Sequence, residues 1–352
     1  MKKIIVIAGI ILLAILAFIA KTYHNAGEWK KLNPHFEGTV QPVYGIIGGE
    51  DITIDHHRQI AYISADDRFA LWHGGRKFGG IYSLSLKQGA KPKLLRRIPE
   101  TEIHPHGISL YQSPEGTSFL FAVDHFGGKN SILLFRFQDD STLALERSFE
   151  DAAFMISPND IAAVDERRFY FTNDHGSPPG WERKREEYLQ LKQSNVVYFD
   201  GANFSIAAKR IAFANGINIS RNRNELYVAG TIGKSILVYH RDTSSGQLSL
   251  KNEIYLGTGA DNIELDEAGN LWVACHPKLL TFLKHASDTS RLAPSQVFKI
   301  LRNEQGDFSC AEVYLNEGEQ ISASSVAAVT GNVMLIGPVF ESHLLRCEIN
   351  RR

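Results

Sequence analysis

The chain opens with one unbroken apolar run and then settles into short alternations of apolar and polar positions. Ile4 to Ala20 is apolar or small throughout, with Lys2 and Lys3 before it and Lys21 after it. About 17 such residues is the lower limit for a helix that crosses a hydrocarbon core. A cleaved secretory signal would want small residues at −3 and −1, but a cut after Ala20 puts Phe18 at −3. The pattern predicts an uncleaved anchor over residues 1–21, a linker over 22–39 and one large domain over 40–352. Because the tail before the run is very short, the large domain is expected outside the cytoplasm, on the periplasmic or extracellular side.

Past the anchor the alternation repeats about every 55 residues, with the last two spacings near 46 and 63. Each unit has a polar pair, an apolar run, a turn, and an apolar strand ending in small or polar residues. The units begin at Glu50-Asp51 (EDITID, IAYISAD), His106-Gly107 (HGISLY, SFLFAVDH), Asn159-Asp160 (NDIAAVD, FYFTNDH), Asn215-Gly216 (NGINIS, ELYVAG), Asp261-Asn262 (DNIELD, LWVACH) and Ser324-Ser325 (SSVAAV, VMLIG). A third strand follows in each, as IYSLSL, ILLFRF, VVYFD, ILVYH, VFKI and LLRCEI. Units too small to bury their own faces predict an all-β, six-bladed propeller around a central channel rather than a sandwich with accidental similarity. Trp181 to Gln193 breaks the pattern and predicts an amphipathic helix inserted in the third blade.

In such a propeller the first strand of each blade lines the channel and the second returns beside it. Starts of first strands and ends of second strands therefore share one mouth. That gathers Glu50, Asp51, His106, Asn159, Asp160, Asn215, Asp261 and Asn262, with Asp66, His125, Asp174, His175 and His276 around them. Converging buried carboxylates and amides are costly unless matched, and an oxygen-only set matches a hard divalent cation, calcium above all. The plainer alternative is hydrated turn chemistry, since Asn, Asp and Gly favour turns in any case. The bulk figures narrow the field. A net charge of −1 gives no pull toward nucleic acid, and three scattered cysteines without a C-x-x-C pair argue against zinc ribbons and thiol redox chemistry.

The segments GGEDITI, HPHGIS, PNDIAAV, FYFTNDH, FANGINIS, DNIELD and LWVACHP resemble the paraoxonase/arylesterase family in order and spacing, over roughly residues 35–350. The resemblance implies a calcium-dependent hydrolase of lactones and aryl esters with two calcium ions in the channel. The ligands of the catalytic ion map to Glu50, Asn159, Asn215, Asp261 and Asn262. Those of a deeper, structural ion map to Asp51, Asp160 and the carbonyl of Ile108. A histidine dyad maps to His106 and His125, with Asp174 at the position of an orienting acid. The family's disulfide would join Cys347 to a position near Thr39-Val40, which holds no cysteine, so the terminal strand must hold by hydrogen bonds and packing. Cys275 matches the family's free thiol.

In this reading calcium polarises the carbonyl, Asn159 assists at the developing oxyanion, and His106 takes a proton from water with His125 as relay. Glu50 is the competing base. Phe213, His276, Ser325, Val339 and Phe340 are expected to wall a partly apolar pocket for the substrate, or to be blade packing. Two other functions stay open: a sugar-lactone hydrolase, whose pocket would be more polar, and a non-catalytic binding propeller with purely structural calcium.

Overall fold

The structure, a computed structural model, describes residues 2–75, 79–303 and 305–350. Helix α1 (Lys2–Asn25) carries the N-terminal apolar run, and its isoleucine and leucine side chains stand exposed. Its stretch Lys3–Asn25 is long and apolar enough to cross a membrane, with mean hydropathy 2.9. At 1.5 Å per residue the helix reaches about 36 Å, and it continues past residue 21 to Asn25.

Beyond α1 the chain forms six sheets, the blades of a propeller. Their innermost strands are Gly49–Asp55, Pro105–Gln112, Pro158–Ala163, Ala214–Ile219, Gly259–Leu265 and Ser324–Thr330. Each meets the innermost strand of the next blade, and the sixth meets the first. The all-β six-bladed propeller expected from the repeat is the fold. Its core is a set of seams between blades. Phe121, Phe169, Phe171 and Phe199 fill the seam between blades two and three, and Tyr62, Ile81, Leu120 and Phe135 the one before it. Burying each such side chain contributes about 1.5–3 kcal/mol. The alternation in the sequence is thus a blade showing one apolar face to each neighbour.

The two ends of the chain close the ring. Gly38–Tyr44 is the outermost strand of blade six, antiparallel to the C-terminal strand His343–Ile349. Residues 22–39 are therefore more than a linker: His35–Phe36 also pairs at the edge of blade five with Leu315 and Tyr314. Val40 stands directly opposite Cys347, which is fully buried and free. Opposed residues of an antiparallel pair lie within disulfide reach. Val40→Cys is expected to link to Cys347 on oxidation and raise stability by about 2–5 kcal/mol. Non-reducing electrophoresis and denaturant unfolding check both points, and a linked protein with no added stability would show that unfolding does not begin at this closure.

Helical excursions leave the second strands at the channel mouth. Helix α2 (Arg68–Trp72) follows the second strand of blade one, α3 (Trp181–Tyr188) that of blade three and α4 (Leu279–Ser287) that of blade five. Of these, the sequence pattern predicts only α3, and predicts it too long. The helix stops after Tyr188, and Gln190 takes a left-handed φ of 53° that cannot continue it.

Candidate active site

In all six innermost strands the ladder to the second strand shifts register at the polar pair. A bulge at this point re-aims side chains out of the regular alternation. Here it turns the polar pairs into the channel mouth. The second member of each pair follows a rule not drawn from the sequence: Asp51, Gly107, Asp160, Gly216, Asn262 and Ser325 alternate between a side chain that reaches across and a small residue that receives it. Asp51 accepts N–H bonds from Ile52 (2.8 Å) and from Ile108 of blade two (2.7 Å), and Asp160 repeats this with Ile161 and Ile217 of blade four, both at 2.7 Å. The glycines make the room. A Cβ on Gly107 would fall 2.3 Å from Asp160 Oδ1, and one on Gly216 would fall 2.6 Å from Asn262 Cα.

The residues of the expected ligand set stand at the starts of their innermost strands, and their polar atoms divide in one way. Asn159 donates through Nδ2 to Asp174 (3.3 Å), Asn215 to Thr231 (3.2 Å), and Asn262 to Glu50 Oε1 (3.0 Å). Each amide is thus held by its nitrogen. The oxygens left over are Asn159 Oδ1, Asn215 Oδ1, Asn262 Oδ1 and Glu50 Oε2, all buried and without a hydrogen-bond partner. Asp261 Oδ2 accepts from His276 (2.8 Å) and Ser325 (3.0 Å). Among the described residues no group of three or more His, Cys, Asp or Glu side chains could hold a metal ion. What collects here is a mixed set whose oxygens come largely from amides, the chemistry of a hard cation.

The two histidines meet. His106 Nδ1 lies 3.1 Å from His125 Nε2, and the outward His106 Nε2 lies 3.4 Å from Glu50 Oε1. The tautomers follow from Asn130, which the sequence reading missed. Its Nδ2 donates to the carbonyls of Met155 and Ile156, so its Oδ1 accepts the His125 Nδ1–H at 2.9 Å. His125 Nε2 is then an acceptor for the His106 Nδ1–H, leaving His106 Nε2 as the basic atom at the mouth. Burial, then the charge of His106, pushes His125 down to about 4, so His125 stays neutral. Arg68, also unforeseen, donates to the carbonyls of Gly48 and Pro105 and lies 3.7 Å from Glu50 Oε2. Burial would raise the Glu50 carboxyl, but when His106 is protonated its charge and hydrogen bond, with Arg68 and Ser325, hold it well below the usual range. Asp174 is tied to Ser157, His175 and Asn159. Its direct partners are therefore a serine, a predicted ligand and the next histidine, not the dyad.

The expected pocket wall is split. Val339 and Phe340 pack with Phe69, Phe282 and Ala286, beneath helices α2 and α4. Phe213 stands edge-on to His175 at 5.0 Å. Ser325 is spent on Glu50 and Asp261, and His276 is buried between Asp261 and the Phe282 ring, 4.2 Å away. The Cys275 thiol is fully buried, and desolvation pushes its pKa well up, as suits a small packing group.

Fold and site together define a six-bladed propeller with one polar, oxygen-rich channel mouth. Solved propellers similar in fold include a gluconolactonase from Xanthomonas campestris (TM-score 0.55, 15% identity, 91% of this chain and 96% of that one) and the calcium-binding protein regucalcin from Agrobacterium tumefaciens (TM-score 0.52, 14% identity, 90% and 96%). The arylesterase family model matches residues 75–349. Serum paraoxonase/arylesterase 2 of Rattus norvegicus is 32% identical over 313 residues, 86% of each chain. The chain belongs to the paraoxonase/arylesterase family, a family of hydrolases.

Proposed function

We propose that the protein is a calcium-dependent hydrolase of lactones and aryl esters, held at a membrane by α1 with the propeller outside the cytoplasm. The observation that carries this reading is the set of four buried, unpartnered oxygens on Glu50, Asn159, Asn215 and Asn262, each on a side chain fixed through its other atoms. With Asp261 they would hold the catalytic ion, while Asp51, Asp160 and the Ile108 carbonyl would hold a deeper, structural one. Bound calcium supplies a Lewis acid that polarises a carbonyl and steadies negative charge on its oxygen.

The remaining chemistry belongs to the chain. His106 Nε2 takes the proton of the attacking water, and the Glu50 carboxylate beside it stabilises the resulting imidazolium. His125, neutral and fixed by Asn130, holds the His106 ring in place and accepts its Nδ1–H. Asp174 holds Asn159 so that the amide oxygen faces the mouth. The apolar wall of Val339 and Phe340 suits an aliphatic arm on the lactone better than a polyhydroxylated ring.

A screen over aliphatic lactones, sugar lactones and aryl esters tests the proposal. Turnover is expected for aliphatic lactones and aryl esters, and activity confined to sugar lactones, or no hydrolysis at all, would refute it.

A further inference from the structure

We infer that Glu28, where the apolar helix meets the propeller, is a positioning residue for the active site: it caps helix α4, whose Phe282 seats the His276 that orients Asp261. The inference rests on the active-site reading above.

Helix α4 has no cap of its own. Lys278 at its N-cap makes no side-chain bond, and no acidic residue stands in its first turn. A helix start leaves its first N–H groups without partners inside the helix. Here they are satisfied from the other end of the chain. The Ala26 carbonyl accepts Leu279 N–H at 2.9 Å, Glu28 Oε1 accepts Leu280 and Thr281 N–H at 2.9 and 3.0 Å, and Glu28 Oε2 accepts the Thr281 hydroxyl at 2.8 Å. An anion at this end also complements the helix dipole.

The junction is shaped for this contact. Ala26 is buried, and Gly27 adopts a φ of 77° in a place where a Cβ would lie 2.2 Å from the Pro277 carbonyl. Lys30 donates to the Gly257 carbonyl at 2.7 Å. The clamp therefore grips the loop that leaves the second strand of blade five immediately after His276.

From Glu28 the contacts lead to the site in two steps. Phe282, one residue past the capped turn, lies 4.2 Å from the His276 ring, tilted 33° to it. His276 Nε2 meets Asp261 Oδ2 at 2.8 Å, while its Nδ1 is buried without a partner. With one ring nitrogen unanchored, the Phe282 face sets the angle at which His276 presents its proton to Asp261. On its other side α4 packs Ala286 and His285 against Phe340, in the expected pocket wall. Partners that orient a metal ligand are worth roughly 10–100-fold in metal affinity.

The test uses the full chain, Glu28→Ala, Glu28→Gln, Glu28→Asp, and a truncation lacking residues 2–21 that keeps the junction. Calcium chloride binding is measured by calorimetry, kcat and KM on an aliphatic lactone well below the unfolding temperature, and hydrogen exchange across residues 279–287. Glu28→Ala is expected to weaken calcium binding by roughly 10–100-fold, lower kcat more than it changes KM, and speed exchange in α4 while the innermost strands stay protected. Glu28→Asp should restore part of the loss, and the truncation should match the full chain. Glu28→Gln keeps one oxygen for the two N–H bonds but loses the charge and the second acceptor, so a smaller loss of calcium affinity in the same direction is expected, and it keeps the test open if the alanine variant does not fold. A Glu28 variant with a lowered unfolding temperature but unchanged calcium affinity and kcat would overturn the inference and leave a plain structural staple. A parent protein that neither binds calcium nor hydrolyses esters would overturn the functional reading and this inference together.

Discussion

Removal of calcium is expected to abolish hydrolysis and to make stability fall as pH rises. The first part follows from the buried oxygens of Glu50, Asn159, Asn215 and Asn262, which have no hydrogen-bond partner in the mouth. A ligand that binds only the folded state, present at a hundred times its Kd, stabilises by about 2.7 kcal/mol, so chelation should lower the unfolding temperature as well. The second part concerns Asp51 and Asp160. Without metal, burial first and then neighbouring carboxylates push Asp51 up to about 8 and Asp160 well above the usual range. Between the ordinary aspartate value near 3.9 and those raised values, the folded state holds protons that the unfolded chain has released. Their stabilising effect is full at low pH and is lost as pH rises through the folded values. Relative to the calcium-loaded protein, the chelated protein should therefore lose stability steadily from about pH 4 to 8. Thermal unfolding across that range, with and without chelator, measures the difference. Full activity in protein shown by elemental analysis to be metal-free would end the calcium reading. Parallel pH profiles would remove Asp51 and Asp160 from the ligand set.

His106→Gln should cost roughly 10²–10⁴-fold in turnover, the range for loss of a general base. Glutamine keeps an amide near the position of the ring but offers no basic nitrogen at the mouth. Calcium binding should be nearly unaffected, since the ring is a neighbour of Glu50 and not a proposed ligand. His125→Gln should cost less, because His125 is held neutral and acts on the ring of His106 instead of on water. The pH–rate profiles of the parent and the His106 variant should differ in shape, because the group that takes the proton is gone. Glu50 makes the opposite prediction as base, with activity and profile largely kept. Its carboxyl is bonded by Asn262 and Ser325 and faces the Arg68 guanidinium, which makes it a poor proton acceptor. A His106 variant with near-parental turnover would nonetheless move the chemistry there.

The parts of this site that could be read from the sequence are those set by strand register. A polar pair at the start of each first strand, and histidines or acids at the ends of the second strands, reach one mouth because the propeller repeats the same geometry six times. Blade count and ring order follow from that periodicity. The alternation of Asp51, Gly107, Asp160, Gly216, Asn262 and Ser325 was also in plain sight, but only the bulges explain it. Asn130, Arg68 and Glu28 were hidden for another reason. Each lies in a connection outside the repeat and works through a partner that no local pattern specifies; Glu28 meets α4 more than 250 residues away. The placement of Asp174 could not be read either, because it depends on which of two neighbours, Asn159 or the dyad, its carboxylate faces.

Ring closure by the chain's two ends also constrains how the protein is made. Strand Gly38–Tyr44 leaves the ribosome roughly 300 residues before its partner His343–Ile349. At synthesis rates of 5–20 residues per second that is a wait of roughly 15–60 s. For that time an open strand edge trails just behind the apolar helix, beside whatever other nascent chains are present. Pro42 in the middle of the strand carries no amide proton, and prolines on an exposed edge discourage pairing with foreign strands. A residue without an amide proton in the outermost strand of the finished blade is thus also a guard on that strand during synthesis.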